Sequence, residues 1–169
     1  MDADPAYTHR KEYPMTDYAL LCEQLAGFAA TDPRPMPLLS NAAALLWEAL
    51  PGINWAGFYL ADDAGLYVGP FQGKPACVHI PFGRGVCGTA FAEERTLRVP
   101  DVHAFPGHIA CDAASASEIV VPIPVNGKPV GVIDIDSPTK NRFTPEDEAG
   151  LMAFAAALGR AADFSELRR

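Results

Sequence analysis

The strongest constraint on this chain is a pair of apolar runs, Ile119 to Val125 and Val130 to Ile135, joined across Asn126-Gly127. Asn and Gly both tolerate the positive φ that tight hairpin turns demand, so the two runs read as paired antiparallel strands. The second strand continues as Val132-Ile-Asp-Ile-Asp136. Strand side chains alternate, which puts Asp134 and Asp136 on one face and Ile133 and Ile135 on the other. Acids inside an apolar strand are costly unless that face meets solvent or a ligand. The first strand begins near a third acid, Glu118. A two-residue turn pairs Val125 with Lys128 and places Glu118 opposite Ile135, on the wrong face. A three-residue loop or a bulge near the turn pairs Glu118 with Asp136, and that register is the expectation, with Asn126-Gly127-Lys128 as the loop.

The rest of the chain supplies partners for this hairpin. Thr16 reads as the cap of a first helix reaching about Ala30, with Leu20, Leu21 and Leu25 on its apolar side. Asp32-Pro-Arg-Pro breaks it, and a second helix spans Leu38 to Leu50. Ile53 to Leu60, Leu66 to Phe71, Cys77 to Ile80 and Leu97 to Val99 read as further short strands. Gly83-Arg-Gly-Val-Cys-Gly88 leads into a short helix, about Thr89 to Glu94. Residues 100–116 read as a long surface loop carrying His103 and His108. Either is a candidate to help ionise the nearby Cys111, but spacing alone shows no contact and the favoured reading is that both are solvated. Thr144-Pro-Glu-Asp147 is a capping signal for a final helix to about Ala162. Helices at both ends around short central strands predict a single α+β domain over 16–163. Residues 1–15 read as a flexible lead and 164–169 as a tail.

Charge narrows the function classes. The chain has 21 acidic and 13 basic side chains, a formal net charge of −8. That disfavours nucleic acid and anionic membrane surfaces, which need clustered Lys and Arg. No apolar run of roughly 18 residues and no signal-peptide core is present, so the expected location is cytoplasmic. Four cysteines are expected to stay largely reduced there, as fillers, metal ligands or catalytic thiols. Cys22 sits in the leucine-rich first helix and reads as a filler. Cys77, Cys87 and Cys111 are spaced by ten and twenty-four positions with no Cys-x-x-Cys pair, which argues against structural zinc, and no metal is expected. The Gly83-x-Gly-x-x-Gly88 spacing lacks the strand-helix-strand setting of a dinucleotide fingerprint and reads as a turn before a helix.

Taken in order, Asn54-Trp-Ala-Gly-Phe-Tyr-Leu60, Gly83-Arg-Gly-Val-Cys-Gly-Thr-Ala90, Val99-Pro-Asp101, Val121-Pro-Ile, Gly131-Val-Ile-Asp-Ile-Asp-Ser137 and the Phe143-Thr helix start resemble a GAF domain. The three cysteines narrow this to a resemblance to the free methionine-(R)-sulfoxide reductase family, over roughly residues 16–163. The resemblance implies a central antiparallel sheet of about six strands with flanking helices and a ligand pocket on one sheet face. It assigns attack on the sulfoxide sulfur to Cys111 and resolution of the resulting sulfenic acid to Cys77, with Cys87 as a secondary thiol that relays the disulfide. Glu118, Asp134 and Asp136 become the pocket acids that hold the substrate ammonium, and Glu118 and Asp136 the candidate proton donors. Trp55 and Tyr59, four positions apart, become the aromatic wall for the thioether. This chemistry needs no cofactor, and thioredoxin or a similar dithiol recycles the enzyme. Oligomeric state stays open, with a homodimer among the options. A small-ligand GAF sensor and a general thiol peroxidase are the competing readings. A peroxidase has no use for the three acids.

Overall fold

The computed structural model describes residues 12–168, and the side chains of residues 12–167. The flexible lead expected over 1–15 falls largely outside that range. In chain order the elements are α1 (Tyr18–Thr31), α2 (Pro35–Ala49), β1 (Trp55–Ala61), β2 (Leu66–Gly73), β3 (His79–Ile80), α3 (Gly85–Glu93), β4 (Leu97–Val99), β5 (Ser117–Val125), β6 (Lys128–Ser137) and α4 (Pro145–Ala161). The strands form one antiparallel sheet in the order β3-β2-β1-β6-β5-β4. The hairpin that dominates the sequence thus lies inside the sheet, and its second strand is bonded on both edges.

Alternation along these strands creates two unlike faces. Ala56, Phe58, Leu60, Ile119, Val121, Ile123, Ile133 and Ile135 pack with Leu21, Leu25, Leu39, Leu46, Phe154 and Leu158 of α1, α2 and α4. Each such leucine contributes roughly 1.5–3 kcal/mol by leaving water. The opposite face carries Trp55, Tyr59, Val120 and Val132, covered by Val86, Cys87 and Ala90 of α3. The larger core anchors the sheet, and the smaller layer leaves space for a site.

The hairpin reaches the expected register through a bulge near the turn and not through the three-residue loop. The turn has two residues, Asn126 and Gly127, with Val125 paired to Lys128 rather than the three-residue loop expected. Both turn residues have positive φ, at 51° and 78°. An irregularity then skips Val130, because Ile123 pairs with Gly131 and Pro124 with Pro129. Pro124 and Pro129 lack the N–H needed for a regular ladder, which makes a bulge inexpensive there. The extra residue restores the parity, and Glu118 pairs with Asp136.

Helix starts shift for local reasons. Asp17, not Thr16, caps α1, its carboxylate accepting from Leu20 N at 3.0 Å. Thr144 caps α4 as expected, in a reciprocal box with Asp147. Asp147 also accepts from the Tyr18 hydroxyl at 2.7 Å and from Arg142 at 3.0 Å, locking α4 to α1. The Arg142 guanidinium lies over the rings of Tyr13 and Phe143, 4.4 and 5.4 Å from their centroids. The chain end folds back as a 3₁₀ turn, Phe164–Arg168, with Phe164 buried in the larger core.

Candidate active site

Glu118, Asp134 and Asp136 share the smaller face of the sheet with Tyr59. Glu118 and Asp134 are each only 6% exposed, so two carboxyls lie inside the protein. Asp136 stands half-buried beside them. Burial is the first cause of their altered acidity, and mutual repulsion adds to it. Glu118 is pushed up to about 8, by burial and then by the charge of Asp136. Asp134 and Asp136 are raised well above the usual carboxylate range by the same two effects, with Glu118 acting on Asp134, and Asp134 and Asp112 on Asp136. The cluster therefore retains protons near neutrality. Asp134 Oδ1 is buried without a hydrogen-bond partner. Such an orphan acceptor costs roughly 1–3 kcal/mol, which a ligand N–H would recover.

Cys87 enters this cluster from α3. The helix begins at Gly85, four residues earlier than the expected Thr89, so Cys87 lies in its first turn. Gly85 has φ of +60°, and a Cβ at Gly88 would lie 2.4 Å from the Pro81 carbonyl oxygen. Glycine is required at both positions, and the helix is held by packing rather than by propensity. The Cys87 thiol is 3.9 Å from Glu118 Oε1. Burial first, and then the surrounding acids, raise it well above its ordinary value. Cys87 is therefore a poor nucleophile in this setting.

Cys77 and Cys111 form a disulfide, with Cα atoms 5.6 Å apart across 34 positions of sequence. Cys77 lies just before β3 rather than within it. The Tyr59 hydroxyl donates to the Cys77 carbonyl at 2.9 Å, tying that segment to the sheet. Cys111 sits exposed on the loop after β4. Asn54 holds this loop down: its Nδ2 donates to Asp112 Oδ2 and Ser115 Oγ, both at 3.2 Å. Sequence reading missed Asn54, because its partners lie 58 and 61 positions away.

These groups enclose a cavity of about 30 Å³, lined among others by Tyr59, Cys87, Cys111, Glu118, Asp134 and Asp136. That is the scale of one or two water molecules. Arg84, Gly85 and Val86 line it from the start of α3. Trp55 does not line it. Its ring stacks behind Tyr59 at 5.9 Å and against Phe71 at 5.0 Å, and its Nε1 donates to the Lys74 carbonyl. The two loop histidines separate. His103 is exposed. His108, expected to be solvated, lines the cavity with Nε2 3.7 Å from Glu118 Oε2. Burial holds His108 below its ordinary value, so near neutrality this pair is an imidazole beside a carboxylic acid.

Comparison with known proteins agrees with this geometry. Residues 36–162 match the family model described as GAF domain. The free methionine-R-sulfoxide reductase of Escherichia coli is 55% identical over 83% of this chain and 86% of that protein. Among solved structures, fRMsr of Staphylococcus aureus in its reduced form superposes with a TM-score of 0.85 at 49% identity, covering 90% of this chain and 99% of that one. The free methionine-R-sulfoxide reductase of Neisseria meningitidis in complex with its substrate has a TM-score of 0.83 at 40% identity, covering 95% and 99%. With the six-stranded sheet, the acid cluster and the disulfide all in place, the chain belongs to the free methionine-R-sulfoxide reductase family of GAF domains.

Proposed function

We propose that the protein reduces free L-methionine (R)-S-oxide to L-methionine, with Cys111 as nucleophile and Cys77 as resolving thiol. The observation that carries this reading is the Cys77–Cys111 disulfide, with Cys111 on the wall of a cavity containing three carboxyls. The Cys111 thiolate attacks the sulfoxide sulfur as the oxygen is protonated. Oxygen passes to Cys111, giving methionine and a sulfenic acid. The Cys77 thiolate then attacks the Cys111 sulfur and the sulfenic oxygen leaves as water. The substrate sulfur gains two electrons and the two thiols lose them. An external dithiol, thioredoxin in this reading, reduces the bridge by exchange through a mixed disulfide.

The acids divide these tasks by environment. Glu118, protonated up to about pH 8, suits delivery of a proton to the sulfoxide oxygen, with Asp136 as the second candidate. Asp134 Oδ1 suits the substrate ammonium, since it is an unsatisfied buried acceptor. N–H groups at the start of α3 and the Arg84 side chain suit the substrate carboxylate. Tyr59, with Trp55 stacked behind it, suits the methyl and thioether. A peptide-bound methionine lacks both charged ends, which favours the free amino acid. Cys87 is not part of the bridge, and its thiol is held protonated. The relay expected of it is unnecessary for forming this disulfide. A cytoplasmic setting, where reducing dithiols abound, belongs to the same reading. Among the described residues no helix is long and apolar enough to cross a membrane.

A single-turnover experiment tests the assignment. Fully reduced protein mixed with one equivalent of the free R-sulfoxide, without reductant, yields one equivalent of methionine and a Cys77–Cys111 bridge by peptide mapping. Methionine formation with both of these thiols still free contradicts the reading.

A further inference from the structure

We propose that Cys87, Glu118 and Asp134 form a binding site for a thiophilic divalent cation of the Zn²⁺ class, whose occupancy excludes the sulfoxide substrate. One ligand atom from each of the three residues lies within 4.8 Å of the others, and all three residues are buried. The Cys87 Sγ to Glu118 Oε1 separation is 3.9 Å. A tetrahedral zinc with Zn–S of about 2.3 Å and Zn–O of about 2.0–2.2 Å sets its ligands roughly 3.5 Å apart, so side-chain rotations that close the separations by up to about 1.3 Å complete the site.

A second observation points to a ligand here. Asp134 lines the cavity and its Oδ1 is buried and unpartnered, so a cation bound by this carboxyl satisfies it. His108 Nε2 lies at the mouth, 3.7 Å from the other oxygen of Glu118 and outside the three-residue cluster. One thiolate and two carboxylates make a mixed set of three protein donors that suits zinc and disfavours magnesium and calcium. Binding replaces the proton on each acidic ligand with the metal, and those protons pass to solvent. The cavity of about 30 Å³ accepts an ion without rearrangement of the sheet. Because the same residues line the proposed substrate cavity, metal and sulfoxide exclude one another. The donors come from α3, β5 and β6, so sequence spacing of cysteines alone does not reveal them.

Cobalt titration of the oxidised protein tests the site. With Cys77 and Cys111 bridged, Cys22 and Cys87 are the two free thiols. Chelator-stripped oxidised protein is expected to bind one equivalent of Co²⁺ with a near-ultraviolet thiolate charge-transfer band and the visible bands of a tetrahedral ion. One equivalent of Zn²⁺ bleaches both. Cys87→Ser loses the charge-transfer band and Cys22→Ser keeps it. Glu118→Gln, nearly isosteric with the protonated acid, weakens Co²⁺ at least tenfold, which guards against a Cys87→Ser variant that folds poorly. Absence of a thiolate band in the unaltered protein, its loss in Cys22→Ser alone, or undiminished affinity in Glu118→Gln overturns the proposal. The titration uses no substrate, so its failure leaves the reductase reading intact, and failure of turnover in metal-free protein counts against that reading alone.

Discussion

Glu118 stands directly across β5–β6 from Asp136, and β6 in turn sets Asp136 across from Trp55 of β1. This register concentrates carboxyls on one face of the sheet and makes the site an acid reservoir.

The first consequence is a pH-dependent stability. Folded Glu118 keeps its proton to about pH 8, whereas its ordinary value is 4.5. The folded state therefore binds more protons than the unfolded state between these values, so stability falls as pH rises from about 4.5 to about 8. Asp134 and Asp136, also raised, add to the fall with the same sign. Denaturant unfolding of the oxidised protein at pH 5 and pH 8 is expected to show a loss on the order of a few kcal/mol. Glu118→Gln flattens the dependence. A stability that rises over this range contradicts the protonated cluster.

Turnover carries the same signature. If protonated Glu118 delivers the proton, kcat/KM declines as pH passes about 8, and Glu118→Gln lowers kcat by on the order of 10²–10⁴ while the enzyme still folds. A Gln variant with unchanged kcat removes Glu118 from the acid role.

The two bridging cysteines separate by kinetics. Cys111→Ser is expected to abolish methionine formation altogether. Cys77→Ser is expected to form one equivalent in a burst and then stop with thioredoxin as reductant, while a small thiol in excess restores slow cycling. Quenched-flow measurement of methionine reads both. A burst from Cys111→Ser reverses the assignment.

Asn54 is expected to act through position. Asn54→Leu removes both hydrogen bonds to the loop that carries Cys111. The loop loosens, disulfide formation slows at least several-fold, and global stability drops by only about 1–3 kcal/mol. Hydrogen exchange confined to residues 109–116 is the distinguishing readout. Faster exchange spread over the whole sheet indicates a general structural role instead.

The helical face gives a control remote from the site. A Cβ at Gly159 of α4 would lie 1.9 Å from the Pro124 carbonyl oxygen. Gly159→Ala must push α4 off β5, and a loss of roughly 1–3 kcal/mol or more is expected in urea unfolding. A stabilised variant contradicts the close approach of helix and strand.

Local signals in the sequence reached the elements but not the long-range contacts. Asn126-Gly127 located the hairpin, and alternation in Val132–Asp136 located the acid face, because both depend on neighbouring residues. Pairing parity alone leaves a three-residue loop and a bulge near the turn equally able to pair Glu118 with Asp136, and the fold takes the bulge, at Val130. The start of α3 was placed late because glycine disfavours helix, whereas tight packing of Gly88 against Pro81 overrides that preference. Spacing alone gives His108 no contact and so favours a solvated reading, and Asn54 carries no local signal as a site residue, since the partners of both are joined by tertiary folding. The cysteine roles came from the family resemblance, and the Cys77–Cys111 bridge brings those two thiols together.

The most direct test of the central claim is steady-state turnover of separated free methionine sulfoxide epimers with a dithiol reductant. The account predicts methionine from the R epimer, at least a hundredfold slower turnover of the S epimer and of a peptide-bound R-sulfoxide, and no turnover by Cys111→Ser. Equal use of both epimers, or R-epimer reduction that survives Cys111→Ser, contradicts it.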